Sequence, residues 1–213
     1  MTDLAFERVG VIGAGTMGHG IAQVCAMAGM EVALYDITED AVSAGLAKID
    51  ANLAKGVARG KVSAELHEAS LTRISGCTTL PLVADGADLI VEAIPEKLEM
   101  KQQLFRALAP LTPEGAVYGT NTSSLSVARI AEAAPDPSRV IGLHFFNPVH
   151  IMKLLEIVHH PGTDATVLSR CAEFSDQIGK ESISIADFPG FATSRLGVCL
   201  GMEAIRMVEQ GVG

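Results

Sequence analysis

Aromatic side chains are scarce in this chain. None of its 213 residues is tryptophan and aromatic residues make up 4%, whereas hydrophobic residues make up 48%. A hydrophobic fraction of that size excludes a disordered chain, and a chain of this length can bury a substantial core. The sequence therefore predicts one large domain, or one domain plus a fragment, around a largely aliphatic core.

Positive charge is also in short supply. Sixteen Lys and Arg residues stand against 25 Asp and Glu, which gives a formal net charge of −9 at pH 7. An acidic chain with no basic run is a poor candidate for binding nucleic acid or an anionic membrane. We expect neither as a partner, and a phosphorylated ligand must be held by local groups.

Cysteines are few and are not paired in motifs. The four are Cys25, Cys77, Cys171 and Cys199, with no CxxC pair and no His or Cys spacing typical of zinc. They are interpreted as small hydrophobic residues of a protein in a reducing compartment, and no metal is expected. The first eight residues contain Asp3 and Glu7 and lack a basic leader, so a cytoplasmic location is predicted.

One uncharged stretch is long enough to span a bilayer, over residues 9–30. It contains six glycines and polar residues, and charged anchors do not flank it as a membrane span requires. We interpret it as a buried strand, a glycine-rich loop and a helix, and predict no membrane span.

Short apolar runs alternate with helical patterns along most of the chain. Strands are predicted at 8–13, 31–36, 87–94, 116–119, 139–145, 154–158 and 181–186, and helices at 17–28, 38–59, 63–71, 97–108, 125–133, 164–178 and 191–210. This alternation predicts an α/β fold with a doubly wound, mostly parallel sheet of the Rossmann type. The gap between 145 and 154 is too short for a helical crossover, so those two strands are expected to be antiparallel.

The character of the sequence changes after residue 187. The long last helix has apolar residues at helical spacing, and that stripe needs a partner. We therefore predict one domain over 1–187, followed over 188–213 by the first helix of a truncated second domain.

The strongest motif is a GxGxxG turn formed by Gly13, Gly15 and Gly18, between a predicted strand and a predicted helix. The first glycine permits a tight turn, the second lets the backbone approach a pyrophosphate, and the third lets the helix pack on the sheet. Asp36 follows Gly13 by 23 residues at the end of the next strand, where a carboxylate accepts from ribose hydroxyls. The alternative is a glycine-rich turn beside an ordinary aspartate. The combination predicts a dinucleotide, and the Asp36 charge favours NAD over NADP.

Polar residues collect where later strands end. They include Glu92, Glu96, Ser123, His144 and Asn147. The carboxyl ends of strands form the ligand crevice of an open α/β sheet, and a histidine there can act as a general base. Glu156 in the following strand is the candidate for the carboxylate that orients this histidine, as in the logic of catalytic triads.

These motifs together resemble the L-3-hydroxyacyl-CoA dehydrogenase family, including the 3-hydroxybutyryl-CoA dehydrogenases. The resemblance rests on VIGAGTMGHGIA (11–22), VEAIPEKLEMK (91–101), NTSSLS (121–126), HFFNP (144–148), Glu156 and PGFATSRLG (189–197). It covers almost the whole chain in the expected order. It implies an NAD-dependent oxidoreductase of fatty acid metabolism (β-oxidation), which converts short- or medium-chain L-3-hydroxyacyl-CoA to 3-oxoacyl-CoA.

The resemblance also implies roles for individual residues. His144 takes the proton of the substrate hydroxyl as the hydride leaves for the nicotinamide, Glu156 is its partner, and Ser123 binds the substrate oxygen and helps position the nicotinamide. The residues matching cofactor contacts are Gly13, Gly15, Thr16, Met17, Gly18, Asp36, Glu96, Lys101, Ser123 and Asn147. Substrate contacts are expected from Ser123, His144, Asn147 and Lys55, the last on a helix that approaches coenzyme A in this family.

The chain departs from the family in two respects. Ser194 occupies a position that usually holds Asn, so a catalytic role for this hydroxyl is a hypothesis only. Family members also carry a helical second domain that completes the substrate site and makes the homodimer, and only its first helix is recognised here. We expect a truncated product, or impaired activity if the chain is complete.

Two other functions stay open at the level of sequence. One is an NAD-dependent dehydrogenase of free hydroxy acids or sugar acids, of the gulonate dehydrogenase kind. The other is an NAD-binding module without turnover.

Overall fold

The computed structural model describes residues 4–213, and within them the elements alternate as the sequence predicts. The strands are β1 (Arg8–Ile12), β2 (Glu31–Tyr35), β3 (Ile74–Cys77), β4 (Leu89–Glu92), β5 (Val117–Thr120), β6 (Val140–Phe145), β7 (Leu154–His159) and β8 (Glu181–Ala186). The helices are α1 (Gly18–Met27), α2 (Glu39–Ala58), α3 (Ala64–Thr72), α4 (Leu80–Ala84), α5 (Leu98–Leu108), α6 (Val127–Ala131), α7 (Ala165–Gln177) and α8 (Thr193–Glu209). The expectation about the N-terminal segment falls partly on residues 1–3, which lie outside this part.

In the described part the strands form one eight-stranded sheet in the order β3-β2-β1-β4-β5-β6-β7-β8. The pair β6–β7 is antiparallel, as the short connection predicts, and the other pairs are parallel. The order reverses between β1 and β4, and ligands of open α/β sheets bind at such a switch point. The predicted doubly wound, mostly parallel fold is confirmed.

Strand residues alternate between two hydrophobic clusters, one on each face of the sheet. Val9 and Val11 belong to a cluster built with α1, α2 and α7, whereas Ile12 belongs to one built with α4, α5 and α6. Because both faces are covered, the central strands are buried throughout, and β4, β5 and β6 contain no exposed position.

The uncharged stretch at 9–30 forms β1, the glycine turn and α1. Among residues 4–213, every helix is too short or too polar to cross a bilayer.

Two elements between residues 72 and 86 were not predicted from the sequence. Strand β3 has only four residues, includes Ser75 and Gly76, and pairs along β2 at the sheet edge. Helix α4 has five residues with a proline in its first turn. Neither is long enough to show a period, so tertiary pairing decides their structure.

Helix α8 carries its large apolar side chains on exposed positions, among them Leu196, Leu200 and Val208, which are 63%, 72% and 68% exposed. The unpartnered stripe that the sequence predicts is therefore present. The division into an NAD-binding domain (1–187) and the start of a helical domain (188–213) stays a prediction.

Candidate active site

The glycine turn links β1 to α1, and its three glycines have different surroundings. Gly13 has φ 101°, and a Cβ there would lie 2.8 Å from the carbonyl oxygen of Ala93. A Cβ on Gly18 would overlap the carbonyl oxygen of Gly13, whereas Gly15 faces open space with no heavy atom within 4 Å of a built Cβ. Gly13 and Gly18 thus allow the turn to close, and Gly15 leaves a free backbone surface at the start of α1, where N–H groups attract phosphate.

Asp36 lies directly after β2 and against this turn. One oxygen, Oδ2, accepts a hydrogen bond from the Ala14 N–H at 2.8 Å, and Oδ1 accepts from the Ile37 N–H at 2.7 Å. Each carboxylate oxygen retains a lone pair that can accept from a ribose hydroxyl. The open backbone at Gly15 and the anchored carboxylate together fit a dinucleotide.

Backbone and side-chain hydrogen bonds join the carboxyl ends of β1, β4, β5 and β6 into one edge. The N–H of Ala93 donates to the backbone carbonyl of Ile12 at 2.8 Å, and the N–H of Asn121 donates to the backbone carbonyl of Glu92 at 2.9 Å. The side-chain oxygen of Asn121 then accepts from the N–H of Phe145 at 3.0 Å. The glycine turn and the residue after His144 are therefore parts of the same continuous edge.

A buried ion pair between Glu92 and Lys101 lies at this edge of the sheet. Glu92 and Thr120 are register partners on β4 and β5, and Lys101 of α5 reaches the Glu92 carboxylate. Glu92 also accepts from the Thr120 hydroxyl and from the Ile94 N–H. Burial raises the pKa of the Glu92 carboxyl above its ordinary value, while Lys101, Thr120 and the Ile94 N–H oppose that rise.

Glu96 connects this pair to the loop after β5. Its Oε1 accepts from the Thr122 hydroxyl and, at 2.9 Å, from the Ser123 N–H, while its Oε2 lies 3.5 Å from the Lys101 ammonium. Partial burial works against ionisation of Glu96, but these hydrogen bonds and Lys101 outweigh it and lower the pKa of the carboxyl. Glu96 is therefore an anion that fixes the backbone of Ser123.

His144 on β6 and Glu156 on β7 are direct partners across the antiparallel pair. The His144 Nδ1 lies 2.6 Å from Glu156 Oε2, and the two residues are 6% and 0% exposed. The rings of Phe146 and Phe191 lie 4.5 and 5.8 Å from the imidazole, centroid to centroid. Because a carboxylate only accepts, Nδ1 is the donor in this contact, and in the neutral form of the imidazole the lone pair then lies on Nε2.

Comparison with known proteins assigns the chain to a family. Residues 8–188 match the family model described as 3-hydroxyacyl-CoA dehydrogenase, NAD binding domain. The chain belongs to the 3-hydroxyacyl-CoA dehydrogenase family. This confirms the predicted family and, with it, NAD as the cofactor and an NAD-dependent oxidoreductase as the class of enzyme.

Named relatives of this family cover nearly the whole chain. The 3-hydroxybutyryl-CoA dehydrogenase of Bradyrhizobium diazoefficiens is 39% identical over 97% of the chain and 70% of the relative. The 3-hydroxyadipyl-CoA dehydrogenase of Escherichia coli is 42% identical over 97% of the chain and 43% of the relative. The crystal structure of (S)-3-hydroxybutyryl-CoA dehydrogenase from Ralstonia eutropha superposes with a TM-score of 0.94 at 32% identity, covering 98% of the chain and 73% of that structure. The chain thus spans only part of each relative.

The remaining residues predicted for the dehydrogenase site differ in their exposure. Thr16, Ser123, Asn147 and Lys55 are exposed, and Met17 and Ser194 are half-buried. Within residues 4–213 the Ser194 side chain makes no hydrogen bond, so its catalytic role stays a hypothesis. Lys101 is fully buried against Glu92, and its predicted contact with the cofactor stays a prediction.

One hydrogen-bonding partner of the proposed catalytic pair has no signal in the sequence. Thr193 donates to Glu156 from its N–H and from its hydroxyl. It lies in the PGFATSRLG motif next to Ser194, and no local pattern marks a threonine that contacts a residue 37 positions earlier in the chain. Among the described residues no cluster of three or more His, Cys, Asp or Glu forms a metal site.

Proposed function

We propose that this chain catalyses the NAD-dependent oxidation of L-3-hydroxyacyl-CoA to 3-oxoacyl-CoA, with His144 as the general base. The observation that carries the proposal is the buried His144–Glu156 pair with its 2.6 Å contact, at the carboxyl edge that also carries the glycine turn. The names of the relatives, a 3-hydroxybutyryl-CoA and a 3-hydroxyadipyl-CoA dehydrogenase, support an acyl-CoA substrate.

The tautomer of His144 suits it to remove a proton. Nδ1 donates to Glu156, so the lone pair on Nε2 accepts the proton of the substrate 3-hydroxyl. The Glu156 carboxylate then stabilises the imidazolium that forms and keeps the ring in its orientation. Such a positioned base contributes roughly 10²–10⁴-fold to the rate.

The other proposed residues bind and orient. The Gly15 backbone and the Asp36 carboxylate hold the nucleotide, which supplies the hydride acceptor when bound. Ser123, whose N–H is fixed by Glu96, places its hydroxyl toward the substrate oxygen. Asn147 contacts cofactor and substrate in this proposal, and Lys55 on the exposed side of α2 contacts coenzyme A.

Three broader predictions accompany this function. They are a homodimer formed by the full-length protein, a role in fatty acid β-oxidation, and a cytoplasmic location.

The decisive experiment follows NADH oxidation by the full-length natural protein with acetoacetyl-CoA and, separately, with keto-sugar acids. Reduction of acetoacetyl-CoA alone is expected. His144→Gln is expected to reduce kcat by at least about 10²-fold while NADH binding, followed by fluorescence, is unchanged. Turnover of keto-sugar acids instead would favour the sugar-acid dehydrogenase, and NADH binding without any turnover would favour the binding module.

A further inference from the structure

The Glu156 carboxylate accepts hydrogen bonds from a second residue besides the proposed general base His144. Its Oε1 accepts from the Thr193 N–H at 2.8 Å, and its Oε2 accepts from the Thr193 hydroxyl at 3.1 Å as well as from His144 Nδ1. Both oxygens of a fully buried carboxylate are therefore held by one residue that neither the fold nor the motif analysis assigns a role.

The turn that carries Thr193 is fixed at its other end. The Asp187 carboxylate accepts from the Ser126 hydroxyl and the Ala128 N–H, both at 2.8 Å, and the Asp187 N–H donates to the carbonyl of His159 at 2.8 Å. The turn is thus tied to the first turn of α6 and to the end of β7.

Between these two anchors the backbone turns sharply. Gly190 and Phe191 have φ of 76° and 51°. Phe191 is 5% exposed and its ring stands beside His144, so the side chain holds the turn against the site. Thr193 is the first residue of α8. Its N–H has no acceptor within the helix, and a carboxylate such as that of Glu156 is a favoured acceptor at this position.

We propose that Thr193 is a positioning residue for the His144–Glu156 pair. It fixes the plane of the Glu156 carboxylate through both oxygens, and this keeps Oε2 aligned with His144 Nδ1. The inference rests on the proposed function, since it assigns how the proposed base is oriented. Through these two hydrogen bonds, the first residue of α8 contacts the proposed catalytic pair directly.

The hydroxyl has an effect separate from that of the backbone N–H. Oε2 shares its negative charge between the Thr193 hydroxyl and the His144 N–H, so removing the hydroxyl leaves the imidazole as its sole donor. The carboxylate plane is then no longer fixed through both oxygens, so Oε2 loses its alignment and the Nδ1 hydrogen bond should weaken. Around the imidazole the structure gives the Phe146 and Phe191 rings and one charged partner, Glu156, so few other groups in the described part can mask the change.

The test uses Thr193→Val, which keeps the shape and the backbone N–H but removes the hydroxyl. The first measurement is the proton NMR signal of His144 Nδ1–H in the holo protein without substrate, identified by its loss in His144→Gln. We expect this signal to move upfield in Thr193→Val and to return to its original position in Thr193→Ser. In turnover we expect kcat to fall roughly tenfold, the size of one hydrogen bond to a charged group, while the KM for NADH is unchanged.

A matched control is Thr166→Val. Thr166 also donates its hydroxyl to a carboxylate at a helix start, that of Asp164, at a distance of 2.5 Å on the exposed surface. This variant should move neither the signal nor kcat. Thr193→Ala replaces Thr193→Val if the latter does not fold.

The outcomes separate the two proposals. A His144 signal that is unchanged in Thr193→Val, or that moves equally in Thr166→Val, overturns the positioning role. A shifted signal in a full-length protein that does not reduce acetoacetyl-CoA overturns the proposed function but leaves Thr193 as the residue that orients the pair.

Discussion

The ammonium of Lys101 lies 2.6 and 2.9 Å from the two carboxylate oxygens of Glu92, and neither side chain is exposed. An ion pair removed from water in this way costs desolvation energy that the pairing offsets, so it is weak evidence for added stability. The position of the pair says more about its role. It joins the ends of β4 and β5 to α5, and the Lys101 ammonium also lies 3.5 Å from the Glu96 carboxylate. We interpret it as the support of the loop that carries Ser123.

Removing only one partner of this ion pair should strongly reduce the stability of the protein. Lys101→Met removes the counter-ion that opposes the raised pKa of Glu92, so the buried carboxyl must take up a proton or stay unpaired, and we expect the free energy of unfolding to fall by roughly 3–5 kcal/mol. In the double variant Glu92→Gln/Lys101→Met no buried charge remains, so most of that loss should be recovered. Urea unfolding of both variants measures this, and a Lys101→Met protein as stable as the wild type would show that the pair is not buried as described.

Most of the fold was predictable because its signals are local and long. The strands at the centre of the sheet are mainly apolar runs, and helices α2, α3 and α7 begin with side-chain caps, such as Thr38, whose hydroxyl accepts from the Ala41 N–H. Strand β3 and helix α4 were missed because their length is below one period of any pattern, and their identity depends on pairing with residues distant in sequence.

The candidate site was predictable to a different extent. The sequence order of the motifs indicated the glycine turn, Asp36 and the His144–Glu156 pair, and the structure brings that pair into contact. What Lys101 and Thr193 contact was not predictable, because each meets its partner only through the packing of a helix against a strand. A motif names residue types, but it does not show which side chain faces inward.

The two glycines at the start of α1 provide a paired test of the cofactor turn. Gly15→Ala has free space for its methyl group, so the protein should keep its thermal stability while NADH binding weakens by about tenfold or more, because the backbone is where the pyrophosphate approaches. Gly18→Ala would overlap the Gly13 carbonyl, so it should lower Tm, with a loss of roughly 1–3 kcal/mol. Each variant controls for the other, and equal effects on Tm would contradict the geometry.

Cofactor preference should depend on Asp36. A 2′-phosphate brings about two negative charges against this carboxylate. The variant Asp36→Ser/Ile37→Arg keeps a side-chain oxygen for the Ala14 N–H and adds a positive charge at a side chain that is 78% exposed. We expect its ratio of NADPH to NADH binding to rise by roughly tenfold or more over that of the wild type. An unchanged ratio, measured by fluorescence titration, would argue that Asp36 does not meet the adenine ribose.

The lowered pKa of the Glu96 carboxyl predicts how the stability of the protein depends on pH. Burial opposes its ionisation, but Thr122, the Ser123 N–H and Lys101 outweigh it and place the pKa below the ordinary value of 4.5. A depressed folded-state pKa contributes stability that is present above the unfolded value and is lost as the pH falls through the folded value. The stability difference between wild type and Glu96→Gln should therefore be largest above about pH 5 and should close below it. Because the carboxylate is 39% exposed, the difference should not exceed about 1 kcal/mol. Urea unfolding across pH 3 to 7 measures it, and Thr122→Val, which removes one donor, should reduce the pH dependence; a difference that grows toward acid would reverse the assigned sign.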